Sequence, residues 1–177
     1  MRSDRLAGAL AGALLAGAGV AAAGELVERV VAVVDGRALC LSDRRAVQQL
    51  DGVDAETALV RLVDETLLFQ EAFRLPQAAL GDSAPDTGEP PAVRRARERR
   101  AVIARYIDFR FRPQVRIEDD AVRRAYARQA GEPPEGAAFD AAVPALRERL
   151  ISEEVARRVD EWVRDLRAAA RIRYNPD

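Results

Sequence analysis

The stretch Val30-Val31-Ala32-Val33-Val34-Asp35-Gly36-Arg37-Ala38-Leu39-Cys40-Leu41-Ser42-Asp43 decides the fold of this 177-residue chain. Five β-branched or small apolar residues run into Asp-Gly, the pair that a two-residue primed turn prefers, so the run predicts a strand, a turn, and a return strand over Arg37 to Leu41. A two-residue turn sets Val33 opposite Ala38 and Val31 opposite Cys40, which makes one face of the hairpin wholly apolar. Two strands alone are not stable in water, so that face needs a cover. Ser42 offers a hydroxyl to cap a helix and Asp43 a negative charge for its first turn, predicting a short helix to about Leu50.

Working outward, the cover is helical. Asp54 caps a helix predicted from Ala55 to Phe73, with Leu59, Leu62, Val63, Thr66, Leu67, Gln70 and Phe73 at helical spacing. Pro76 stops it. The segment from Gln77 to Pro91 holds Gly81, Pro85, Gly88, Pro90 and Pro91 and reads as a mobile loop. A helix follows from Ala92 to about Arg110. It is basic at Arg94-Arg95-Ala96-Arg97-Glu98-Arg99-Arg100 and amphipathic through Val102, Ile103, Tyr106 and Ile107. With no aromatic among its charges, the basic run reads as a solvated helix face in preference to a nucleic-acid contact. Beyond Pro113, Val115 to Ile117 reads as a short extended piece, and Glu118-Asp119-Asp120 opens a helix through Arg128 that Gly131, Pro133, Pro134 and Gly136 close.

The last predicted helix runs from about Val143 to Ala169, with a stripe of Leu146, Leu150, Ile151, Val155, Val159, Trp162, Val163 and Leu166. Acid precedes base by four residues at Glu153/Arg157, Glu154/Arg158 and Asp160/Arg164, the stabilising order. Ala170-Arg171-Ile172-Arg173-Tyr174 alternates and fits a strand closing onto the N-terminal hairpin. The fold class expected is therefore mainly α, a helical bundle with a small N-terminal β-hairpin joined by a C-terminal strand.

Composition narrows the function. The chain has no His, which removes the usual general base and the commonest zinc ligand, and its one cysteine, Cys40, has no second thiol to pair with. Cys40 stands among apolar residues and reads as a small buried hydrophobe. Adjacent acids such as Asp119-Asp120 and Glu153-Glu154 point in different directions on a helix, so no catalytic, metal or cofactor site is expected. The 28 basic and 29 acidic residues nearly cancel, and no nucleic-acid partner is expected. Residues 1–23 have the layout of a secretory signal, with Arg2 and Arg5, an apolar stretch from Leu6 to Val20, and Ala21-Ala22-Ala23. Cleavage there leaves one domain over residues 24–177, exported and without stable membrane insertion.

Two stretches then carry a resemblance. Val30 to Leu41 followed by Ser42-Asp43, and Leu62-Val63-Asp64-Glu65-Thr66-Leu67-Leu68-Phe69-Gln70-Glu71-Ala72, resemble the N-terminal region of the SurA-type periplasmic chaperones, with their V-V-N/D-G turn, S-D, and L-V-D-E-x-L-L-x-Q-E-A helix. The likeness continues through Val115 to Val122, where such proteins carry I-S-D-E-E-V, and into Trp162 to Ile172. It departs in two places. The family commonly inserts parvulin-type prolyl isomerase domains where this chain has only Gly131 to Ala142, and it has further helices in place of Gln77 to Pro91.

The resemblance implies a periplasmic holdase for unfolded outer-membrane polypeptides, with no cofactor. Such a protein needs apolar surface without a rigid pocket. The candidate client-binding residues are Phe69, Phe73, Tyr106, Phe109 and Phe111. Two rival readings are a non-catalytic adaptor with one dedicated partner and a parvulin-type isomerase, for which no segment is left over.

Overall fold

The computed structural model describes residues 28–74, 88–131 and 135–175. The signal expected over residues 1–23 lies outside them, as does the loop expected over 77–91 apart from its last four residues.

Two strands, β1 (Val30–Val34) and β2 (Arg37–Cys40), form the hairpin. Asp35 and Gly36 both have positive φ, 49° and 84°, which is the primed turn that matches strand twist. The register is as expected near the turn, with Val33 opposite Ala38, and departs beyond it. A bulge at Val31 leaves Cys40 opposite Val30 instead of Val31. The extra residue lets consecutive side chains Val31 and Ala32 both go inside, along with Val34 and Leu39. Near the turn the buried face is thus the one opposite to that expected, with Ala38 exposed and Val33 half-buried, while Val31 of the expected face is buried. The C-terminal strand, β3 (Ile172–Tyr174), pairs antiparallel with β1, giving the order β2-β1-β3.

Helix α1 (Leu41–Asp51) begins directly from β2. Ser42 does not cap it. Cys40 occupies the cap position and Asp43 reaches back to the Cys40 amide at 3.4 Å, while the Ser42 amide donates to Glu28 at 3.0 Å. The starting point shifts because Asp43, three residues into the turn, satisfies the entering backbone. Helix α2 (Ala55–Phe73) has the predicted bounds, and Asp54 accepts from the Thr57 amide at 2.9 Å and its hydroxyl at 2.7 Å. Helix α3 (Pro91–Arg110) starts on a proline, which has no amide to leave unpaired at that position.

A 3₁₀ turn at Arg112–Gln114 precedes Val115 to Glu118, which is irregular and pairs with no strand. Helix α4 (Asp119–Ala130) ends at Gly131 with φ 68°. Helix α5 (Gly136–Ala169) starts seven residues before the predicted Val143 and keeps Pro144 inside it. Its extra turns are held by packing: Phe139, Ala142 and Val143 cover Val122, Ala125, Tyr126 and Leu146, and the rings of Phe139 and Tyr126 meet edge-on at 5.2 Å. That burial outweighs the one hydrogen bond Pro144 deletes.

The main core gathers Val31, Ala32, Val34, Leu39, Val47, Ala58, Leu62, Val63 and Leu67 beneath the sheet. The predicted α5 stripe is less buried than expected. Leu146 and Val155 are its buried members and the other six are half-covered, because the helix is clad by different partners at its two ends. At the C-terminal end Leu166, Ala170 and Ile172 pack on the main core, and Arg167 pairs with Asp64 and donates to the Val60 carbonyl. Of the expected pairs on α5, Glu154 meets Arg158 at 2.8 Å. Glu153 instead meets Arg149 at 3.4 Å, and Arg164 donates to the Asp160 carbonyl.

Candidate functional site: a groove between a strand edge and two helices

Helices α2 and α3 run in the same direction, since Glu65 meets Arg99 and Arg100 while Ala72, further along, packs on Tyr106. Beside them lies β2, which has no further strand on its outer edge among the described residues. Between strand edge and helices is a groove of about 410 Å³. Ala38 and Leu39 form one wall, Leu62, Thr66, Phe69 and Phe73 the floor, and Arg95, Glu98 and Val102 the other wall. Its base is firm: Leu62 and Thr66 are buried, and the Thr66 hydroxyl donates to the Leu62 carbonyl at 2.7 Å, so no polar group is left unsatisfied there. Phe69 and Phe73, one helical turn apart, meet at a 57° tilt with ring centroids 4.7 Å apart, and the Arg37 guanidinium lies 5.6 Å from the Phe69 centroid.

The five aromatic candidates divide. Phe69 is half-buried in the groove, and Phe73, 58% exposed, stands at its mouth. Tyr106 is 2% exposed and belongs to a core cluster with Ala72, Val102 and Trp162. It is therefore corrected to a packing residue. Phe111 lies against Trp162 at 5.4 Å, and the Arg110 guanidinium sits 4.9 Å from the Trp162 centroid, so this ring is also engaged in the α3–α5 junction. Phe109 is 65% exposed but does not line the groove. Reading aromatics alone missed Arg37, Leu39 and Val102. Val102 was legible as a helical stripe residue, whereas Arg37 is a groove residue only because the hairpin swings it over α2.

The basic run on α3 is only in part the solvated face expected of it: Arg95 and Arg97 are exposed, the others less so. Arg99 and Arg100 are drawn into a bridged network with Glu65 and Asp51, at 3.0 Å and 2.6 Å to Glu65 and 2.7 Å from Arg100 to Asp51, and Arg61 adds a further contact to Asp51. Arg97 meets Glu89 at 3.1 Å and Arg95 approaches Asp43 at 3.9 Å. The hydrogen bond from Arg100 holds the Asp51 carboxyl below the ordinary carboxylate range. The charges of α3 are thus spent largely on acids from α1 and α2, and they clamp the helices below the groove.

Cys40 is half-buried, and burial, with Glu28 and Asp43 nearby, pushes its thiol up from the usual value, which disfavours the reactive thiolate. A wider depression of about 670 Å³ lies at the turn end of the sheet, formed largely by turn backbone and by Arg171 and Arg173, without an aromatic. Among the described residues no group of three or more His, Cys, Asp or Glu side chains is placed to hold a metal ion, and no helix is long and apolar enough to cross a membrane. Compared with known proteins, the chain matches no family model, no curated protein and no solved structure.

Proposed function

We propose that this chain is an exported holdase of the SurA type, which shelters unfolded polypeptides, outer-membrane precursors in particular, in the periplasm. The observation that carries this reading is the Phe69 and Phe73 pair: two tilted rings in contact at the groove, with Phe73 left 58% exposed. The exposed Phe73 ring gains free energy when another chain covers it, and its pairing with half-buried Phe69 beside Leu62 suits transient capture of unfolded chain. The sequence resemblance and the layout of residues 1–23 supply the compartment and the client class. The functional unit needs no cofactor, acting by binding alone.

The test is suppression of aggregation of an unfolded outer-membrane barrel protein diluted from denaturant. The chain without its first 23 residues should hold scattering down at a few-fold excess. Phe73→Ala should weaken that protection several-fold while leaving the melting temperature within about 2 °C, because an exposed ring contributes little to folding. Full aggregation at several-fold excess of the unaltered chain would count against the reading. One stoichiometric partner on co-purification, in place of a range of unfolded clients, would favour the adaptor.

A further inference from the structure

The hydrogen-bonding phase of the sheet can be followed residue by residue. Asp35 donates to the Arg171 carbonyl at 3.0 Å and Asn175 donates to the Val31 carbonyl at 3.0 Å, so the odd-numbered residues of β1 turn their backbone toward β3. Ala32 and Val34 therefore turn theirs toward β2, where they face Leu39 and Arg37. Leu41 continues the inward series, donating to the Arg29 carbonyl at 2.8 Å. Ala38 and Cys40 are left pointing outward. The Cys40 amide is taken by Asp43. Among the described residues the N–H and C=O of Ala38 have no backbone partner on this edge, and Ala38 lines the groove.

We propose that the groove takes one extended segment of a client chain as a fourth strand, hydrogen-bonded to the backbone of Ala38. This rests on the holdase reading and gives its binding mode. Strand alternation fixes what the segment must be. The client residue opposite Ala38 turns its side chain to solvent as Ala38 does. Its two neighbours fall on the side of Arg37 and Leu39, one over Leu39 and Thr66, the other over Phe69 and Phe73. Apolar or aromatic residues at those alternate positions fit. Charge sets the flank: Arg37 is exposed, lies over Phe69 and makes no ion pair among the described residues, so an acidic residue belongs at the Arg37 end. Main-chain recognition at one residue pair gives weak, sequence-tolerant capture, which suits clients that must be released.

The probe is a labelled peptide of about six residues, the usual strand length, alternating Val and Tyr with one flanking Asp. Single backbone N-methyl groups are walked along it and binding is read by fluorescence anisotropy. The chain without its first 23 residues should bind the parent peptide, which should protect the Ala38 amide from hydrogen exchange. Methylation should weaken binding about tenfold at the residue opposite Ala38 and less than about twofold at its neighbours, whose amides face away. Ala38→Pro removes the edge donor without touching the β1 ladder and should weaken binding comparably, with unchanged circular dichroism as the control. Equal effects of methylation at every position, with no protection of Ala38, would overturn strand addition while leaving the holdase intact. Failure of both the peptide and an unfolded client to bind would remove both.

Discussion

Replacing Glu65 by Gln keeps the shape of the side chain and deletes the charge on which two arginines converge. The Glu65 side chain is 14% exposed and that of Arg99 12% exposed, with Arg99 at 3.0 Å and Arg100 at 2.6 Å. Arg100 retains Asp51 after the change, whereas Arg99 is left in a largely dry site without its carboxylate. Breaking a fully buried pair costs about 3–5 kcal/mol because the surviving charge is stranded. Residual exposure of both groups, and the hydrogen bond that the amide oxygen still accepts, bring the expected cost to about 2–4 kcal/mol. For a domain of this size each kcal/mol moves the melting temperature by about 2–4 °C, so a fall of about 5–15 °C is expected. Thermal unfolding followed at the helical circular-dichroism band measures it. Glu161→Gln is the contrast: it removes one of the two acidic partners of Arg157 on exposed α5, where the Glu161 and Arg157 side chains are 50% and 54% accessible, and should cost under about 1 kcal/mol. If Glu65→Gln and Glu161→Gln shift the melt equally, or if Glu65→Gln shifts it by less than about 2 °C, the clamp beneath the groove is not what holds α2 to α3.

Asp54→Ala removes the acceptor for both the Thr57 amide and its hydroxyl, and should lower stability by about 1 kcal/mol in urea unfolding; no change would mean the cap is idle. Leu62→Ala empties a fully buried position shared by the sheet and α2 and should cost about 2–5 kcal/mol, read as a lower urea midpoint at unchanged slope. Acid should destabilise the chain. Asp51 is held below its ordinary 3.8 by the hydrogen bond from Arg100, and Glu154 is brought from 4.5 to about 2 by hydrogen bonds from Arg157 and Arg158. Carboxylates lowered in the folded state contribute fully above their unfolded values and lose that contribution as pH falls through the folded ones. The urea midpoint should fall as pH drops from about 4.5 toward 2, and a midpoint that rises over that interval would contradict the network.

The elements that local chemistry determines were legible in the sequence, and those set by distant packing were not. Helix α2 reads from bound to bound because Asp54 is a capping residue and the apolar period runs unbroken to Phe73. The Asp35-Gly36 turn and the closing strand over Ile172–Tyr174 read equally well. The bulge at Val31 is hidden in a uniformly apolar run, where either phase of Val30 to Val34 yields an oily face and no Gly or polar residue marks the slip. The start of α1 is hidden in the sequence because Cys40 is not a usual capping residue, and it is Asp43 that satisfies the Cys40 amide. For α5, Gly136 and the prolines before it suggested a late start, while the decisive influence was Tyr126 and Val122 on another helix.

The site divides along the same line. Phe69 and Phe73 sit one turn apart on a helix whose core face is filled by smaller residues, so their pairing could be read from spacing. Tyr106 has the same kind of spacing on α3 and is nonetheless buried, because Trp162 arrives from the far end of α5 to cover it at 5.8 Å. Trp162 thereby seals one end of the α2–α3 seam, and the arginine network seals the seam along its length. With both secured, α2 and α3 need no third helix over Phe69 and Phe73 to stay together. The groove is then a consequence of how the seam is closed: oily side chains remain accessible where ion pairs and a single tryptophan have made their burial unnecessary for folding.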